Sequence, residues 1–172
     1  MPFESETPSF ELYLIRHGLA GQLGDYDDDS QRPLTPEGQR KTRKVADRLA
    51  HLGIEFDELR SSPYQRAWQT AEVLQAAGLV ENIEPLSALE PEGDWTVVVD
   101  YLKQTRQAKK RVAIVGHEPD LSELAARLVF GDRSEHLKLK KAGVIGLTGA
   151  IEGELIGRCE LFWLTPPRLL LN

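Results

Sequence analysis

The run Leu12-Tyr13-Leu14-Ile15, broken at once by Arg16-His17-Gly18, constrains this chain more than any other stretch. Four consecutive apolar residues, two of them β-prone, predict a buried strand. In an open α/β sheet, ligands sit at the carboxyl ends of the strands. The break therefore sets a permanent cation beside an imidazole capable of nucleophilic attack, at the place where a ligand is expected. Gly18 lets the backbone turn away or approach an anion closely. Taken alone, the tripeptide also has a plainer reading, a strand end capped by incidental polar residues.

A second strand signal ends the same way. Arg111-Val-Ala-Ile-Val-Gly-His117 is apolar until Gly116-His117. The chain has four histidines, and two of them hold this strand-end position. A lone histidine is usually structural, but a matched pair predicts two imidazoles at one sheet edge. The third segment is Ser61-Ser62-Pro63-Tyr64-Gln65-Arg66-Ala67, after a strand candidate at Phe56 to Leu59. Ser62 suits an N-cap and Pro63 a first helical turn, which predicts a helix from about Tyr64 to Ala77, stopping near Gly78. Arg66 then lies beside free backbone N–H groups at the positive end of the helix dipole, an anion site. By itself, Arg66 reads more commonly as a solvated surface arginine.

The rest of the chain alternates between the two periodicities. Thr35-Pro36-Glu37 opens a helix that runs to about His51 and ends at Gly53. Further helices are expected at Trp95 to Arg106 and at Leu121 to Phe130, the latter with Asp120 as a cap. Val144 to Thr148 and Leu155 to Leu164 read as closing strands around a hairpin turn at Gly149 to Gly153. Strands alternating with helices predict an α/β sandwich with a mainly parallel sheet, which the final hairpin makes mixed. Residues 1–9 are expected to be a flexible tail and residues 10–172 a single domain.

Charge and cysteine usage narrow the partners. A net charge of −6 argues against nucleic acid as the main partner. Cys159 is the only cysteine, so no intrachain disulfide is possible, and a reducing compartment fits. No signal-like segment opens the chain and no apolar run reaches transmembrane length, so the cytoplasm is expected, without a membrane partner. Asp25-Tyr-Asp-Asp-Asp29 starts like a calcium loop, but Ser30 stands where glycine is required. It reads as a solvated acidic loop, free to face a partner. Lys138, Lys140 and Lys141 read first as a solvated charge run and second as a site rim that attracts a phosphoprotein. Trp68 and Trp163 are assigned to the core.

Together, LYLIRHG, SSPYQRAWQTA and VGHEPDL resemble the histidine phosphatase, or phosphoglycerate-mutase-like, superfamily. The RPLTPEG segment at Arg32 to Gly38 and the ending LFWLTPPRLL are similar to its SixA-type phosphohistidine phosphatases. The resemblance covers nearly the whole chain from Phe10 and implies a three-layer α/β/α sandwich. It implies His17 as the nucleophile, Arg16 and Arg66 as a clamp on the phosphoryl oxygens, and His117 donating from the other side. Gly18 and Ser62 fall among the substrate contacts, and no metal or cofactor is implied. Phosphate and vanadate-type anions are the expected ligands. An alkoxide leaving group needs an acid, for which Glu90 and Glu118 are the candidates, with Glu92 read as solvated. Several SixA-like chains carry Asp after the RHG motif, where this one has Leu19. The resemblance implies a phosphatase acting on phosphohistidine of a signalling protein. A small-molecule phosphomonoesterase and a non-catalytic phosphate-binding regulatory module are the alternatives. The shortness of the segment between Arg66 and His117 leaves little material for a lid, which favours a protein substrate.

Overall fold

The computed structural model describes residues 9–171. The expected tail lies outside them except for Ser9, which opens the first strand. One six-stranded sheet carries strands β1 (Ser9–Arg16), β2 (Glu58–Ser61), β3 (Ile83–Pro85), β4 (Arg111–Gly116), β5 (Val144–Ala150) and β6 (Glu160–Thr165) in the order β3-β2-β4-β1-β5-β6. The first four are parallel, while β5 and β6 run antiparallel to their neighbours. Helices α1 (Pro36–His51), α2 (Gln65–Ala76), α3 (Trp95–Thr105) and α4 (Asp120–Phe130) fill the connections after β1, β2, β3 and β4.

Side-chain alternation along the central strands builds two cores. Leu12 and Leu14 of β1 and Val112 and Ile114 of β4 pack with Val98 and Leu102 of α3 and with Leu124 and Leu128 of α4. Tyr13, Ile15, Ala113 and Val115 point the other way and pack with Val45 and Leu49 of α1 and Ala67 and Leu74 of α2. A strand buried on both faces reads as a continuous apolar run. The result is the expected mixed-sheet α/β/α sandwich. Among the described residues, no helix is long and apolar enough to cross a membrane.

Register brings the motifs level. Arg16 pairs with Gly116 across β1 and β4, Ser61 with Val115 across β2 and β4, and Ile15 with Val144 across β1 and β5. Residues 17, 62, 117 and 143 therefore leave the sheet side by side. Helix α1 starts where expected: the Thr35 hydroxyl accepts from Gly38 N at 3.0 Å, with Pro36 as its first residue.

Several boundaries differ from the sequence expectation. Ser62 is not the cap of α2, which begins at Gln65 after Tyr64 without a side-chain cap; the Ser62 hydroxyl instead accepts from Tyr64 N in the preceding turn. The strand expected at Phe56 to Leu59 is shifted to Glu58–Ser61, with Phe56 an apolar plug below it. Asp120 is the first residue of α4 rather than its cap. The last strand begins at Glu160, because Leu155 packs into the core from the β5–β6 connection instead of extending the strand.

Candidate active site

His17 and His117 face each other at the carboxyl ends of β1 and β4, with ring centroids 5.2 Å apart. His17 Nδ1 lies 2.7 Å from its neighbour's carbonyl, Gly18 O. A carbonyl only accepts, so Nδ1 carries the proton and Nε2 keeps its lone pair. His17 is buried, and burial lowers its pKa to about 2, helped by His117, Arg66 and Arg16 and opposed by the Gly18 carbonyl. His117 is lowered to about 3, first by burial and next by Arg66. Both rings are neutral at physiological pH.

Arg16 donates from Nη1 to Leu139 O at 2.9 Å, which fixes its guanidinium against the segment that enters β5. That segment is held in turn by Ala142 N, which donates to both Arg16 O and His17 O, with Ala142 at φ 58°. Arg66 is buried in the first turn of α2, as its place in the sequence predicts. Its guanidinium lies over the Tyr64 ring at 5.1 Å. The Nε atoms of Arg16 and Arg66 and the Nδ1 of His117 are buried without a protein partner. His117 Nε2 meets the Ser62 hydroxyl at 2.8 Å, so Ser62 joins the site through His117.

The structure adds a packing reason for Gly18 to the expected one. A Cβ there would sit 2.3 Å from Thr42 Oγ1 of α1, so the close approach is to a helix. Its N–H donates to Thr70 Oγ1 at 3.0 Å, and Thr70 donates to Arg66 O at 2.8 Å. Thr70 thus ties the Arg16–Gly18 turn to the helix that carries Arg66.

Comparison with known proteins settles the family. Residues 12–97 match the histidine phosphatase superfamily (branch 1). An uncharacterized protein of Picosynechococcus sp. is 43% identical over 163 residues, covering 94% of this chain and 99% of that one. This chain belongs to the histidine phosphatase superfamily. Phosphohistidine phosphatase SixA of Escherichia coli is 34% identical over 124 residues, 71% of this chain and 76% of SixA. The structure of the protein histidine phosphatase SixA complexed with tungstate superposes with a TM-score of 0.83 at 28% identity, covering 94% of this chain and 99% of that one. An alpha-ribazole phosphatase from Shigella flexneri shares the fold at a TM-score of 0.73 and 18% identity, over 92% of this chain and 97% of its own. The chain is a SixA-type member of the superfamily.

Around this histidine phosphatase site stand carboxylates of different kinds. Glu118 directly follows His117, but both its oxygens are engaged: Oε1 accepts from Ser122 N at 3.0 Å, and Oε2 from the Ser122 hydroxyl and from Leu139 N at 3.3 Å. Leu139 is the residue whose carbonyl holds Arg16, so Glu118 acts on the site through that peptide. Glu90 is half-buried after the 3-10 turn Ser87–Leu89, and the carbonyl of its neighbour Leu89 lies 3.4 Å from where a Cβ would stand on Gly116. Glu92 is exposed, as expected.

Two acids escaped the sequence reading. Asp29, assigned to a solvated loop, accepts from Arg66 Nη2 at 3.0 Å through its carboxylate and from Arg66 Nη1 at 2.8 Å through its carbonyl. The same carboxylate accepts from Arg32 Nε at 2.8 Å. The acidic loop therefore folds over the site. The clue was Arg32 three residues on, a cation spaced to pair with Asp29. Asp120 accepts from Glu92 N at 3.1 Å and lines a small crevice with His117; burial raises its pKa.

Proposed function

We propose that this histidine phosphatase cleaves phosphohistidine on a signalling protein through a phosphoryl intermediate on His17. The observation that carries this reading is the locked tautomer of His17, whose bare Nε2 sits in a buried site with Arg16, Arg66 and His117. Phosphoryl transfer demands positioning and charge neutralisation more than covalent work. In the first step the Nε2 lone pair attacks phosphorus while the substrate's P–N bond breaks, and the departing ring, protonated on its other nitrogen, keeps that electron pair and leaves as neutral imidazole. Arg16 and Arg66 hold the phosphoryl oxygens, Arg66 exchanging its bonds to Asp29 for them, and His117, steadied by Ser62, donates from the opposite side. Water then attacks the phosphorus, its protons leave with the phosphate as hydrogen phosphate or to solvent, and Nε2 regains its lone pair.

The leaving group supports the choice of substrate. Imidazole departs more readily than an alkoxide, so the reaction does not rest on a strong general acid. Glu118 is engaged in positioning. For an ester the remaining acids are Glu90, whose side chain forms no hydrogen bond or ion pair among the described residues, and Asp120, which lines the crevice beside His117 and is raised by burial. The likeness to SixA supports the same reading. The lone, buried Cys159 fits a reducing cytoplasm.

The test is phosphate release from a phosphohistidine peptide and from para-nitrophenyl phosphate, with wild type and His17→Ala. Release from the peptide that is lost in His17→Ala is expected. Faster release from the ester would make this a small-molecule phosphomonoesterase, and release from neither would leave a phosphate-binding regulatory module. Arg66→Ala is expected to weaken inhibition by vanadate.

A further inference from the structure

Beside the site, a groove of about 780 Å³ runs from Arg16 past the 138–142 segment to residues 164–168. Six cations line it: Arg16, Lys41, Lys138, Lys140, Lys141 and Arg168. The chain as a whole carries −6, so this is a local reversal of sign. Of the six, Lys41 alone has an ion-pair partner among the described residues, Glu37 at 2.6 Å. Glu118, near Arg16, is already bonded to Ser122 and Leu139. The cations oppose one another: burial, Arg16 and Arg32 together hold the Lys141 ammonium below its ordinary pKa. Between them the wall is apolar, formed by Leu139, Leu164 and Pro166.

We propose that this groove binds an acidic segment of the phosphorylated protein, next to the side chain whose phosphoryl group enters at Arg16. The inference rests on the reading that the substrate is a phosphorylated protein, and it names the chemistry of that protein's surface. Flexible ammonium groups spread along a groove suit several separate carboxylates, whereas one compact anion calls for a convergent, planar fork. The apolar wall accepts aliphatic side chains from the same segment. Like-charge crowding in the free groove makes an acidic occupant favourable and a basic one unfavourable. The Lys138–Lys141 segment thus reads as a docking rim, the second of the two expectations drawn from its sequence.

The test has two arms. In the first, binding of a short fluorescent peptide with Asp, Glu and Leu around an unphosphorylated His is followed by anisotropy, against the same peptide with Gln and Ser in place of the acids. Wild type is expected to prefer the acidic peptide, and Lys138→Glu/Lys140→Glu/Lys141→Glu to lose that preference by at least about tenfold. Added salt should shrink the preference, since exposed charges are screened. Equal binding of both peptides by wild type overturns the proposal, as does a preference that survives in the triple variant. Lysine-dependent binding of fructose 1,6-bisphosphate without any preference between the peptides would also overturn it and assign the groove to small polyanions. In the second arm, the phosphohistidine forms of both peptides and N-phosphorylimidazole are turned over. The triple variant should lose far more kcat/KM on the acidic peptide than on N-phosphorylimidazole, which reaches Arg16 without spanning the groove; equal losses on both would overturn the proposal. Failure of every phosphohistidine substrate with peptide binding intact would remove the proposed chemistry and leave the groove. Turnover without acidic preference would do the reverse.

Discussion

Protonating His17 would add a charge to a buried pocket that already holds two guanidinium groups, which is why burial and these neighbours push its pKa to about 2. A free histidine near 6.5 would lose its nucleophilic form as pH falls to 6. Here the lone pair on Nε2 persists. The kcat/KM profile for a phosphohistidine peptide is therefore expected to show no enzyme limb near 6.5 and to stay level down to about pH 5, where the carboxylates begin to titrate. A tenfold fall between pH 7 and 5.5 that follows one proton on the free enzyme would contradict the buried, neutral ring. Asp29 makes a second residue-scale argument. Its carboxylate occupies Arg66, and in the proposed reaction an incoming phosphoryl group would need the same donors and be repelled by the same charge. Asp29 is 39% exposed, so its interaction is worth about 1 kcal/mol. Asp29→Asn should keep the amide oxygen on Arg66, remove the repulsion, and lower the inhibition constant for vanadate about fivefold. An unchanged constant would mean that the acidic loop stays clear of the bound anion.

At the scale of elements, the central strands were legible because they are buried on both faces. Leu12 to Ile15 and Val112 to Val115 have no charged residue to confuse the reading, and their polar ends carry the candidate site residues Arg16, His17 and His117. The edges were not. Ile83–Pro85 is a three-residue edge strand with two exposed members, and nothing in so short a stretch separates it from a loop. Leu155 looked like strand because it is apolar, but its apolarity serves a core contact made from a loop. The same limit hid the tie between α2 and the Arg16–Gly18 turn, since Thr70 and Gly18 are 52 residues apart and meet only through the fold. Glu118 shows how sequence adjacency misleads. Its place after His117 suggests an acid, whereas its bonds hold α4 and the segment entering β5 together, with Arg16 beyond. Glu118→Gln, whose single amide oxygen keeps only one of the backbone bonds from Ser122 N and Leu139 N, should lose a few-fold in kcat/KM, whereas Glu118→Ala, which loses both, should cost about tenfold or more. A general acid would give the opposite signature, inactivity in Glu118→Gln and a lost alkaline limb on ester substrates.

Across the whole molecule, keeping two imidazoles neutral at a sheet edge links activity to acid stability. In the unfolded chain both histidines take up protons near pH 6.5, while in the folded protein they resist until about pH 3 and pH 2. The unfolded state thus binds more protons between these limits, and stability rises with pH there. The sign is definite: stability is intact above 6.5 and falls as pH drops below it, by up to about 1.4 kcal/mol per pH unit for each ring. Carboxylates with lowered pKa, such as Asp29 beside Arg32 and Arg66, add to the loss only nearer pH 4. Burial raises Asp120, which works in the opposite direction. Because Asp29 and Asp120 are present in both proteins, the difference between wild type and a variant lacking the two imidazoles isolates the histidines in the window from pH 6.5 to 5. Urea unfolding across that window is expected to show a falling free energy in wild type, and a clearly shallower fall in His17→Gln/His117→Gln, which has no imidazole left to protonate at the sheet edge. Identical slopes in the two proteins would mean that the rings accept protons in the folded state, and the neutral nucleophile would fall with them.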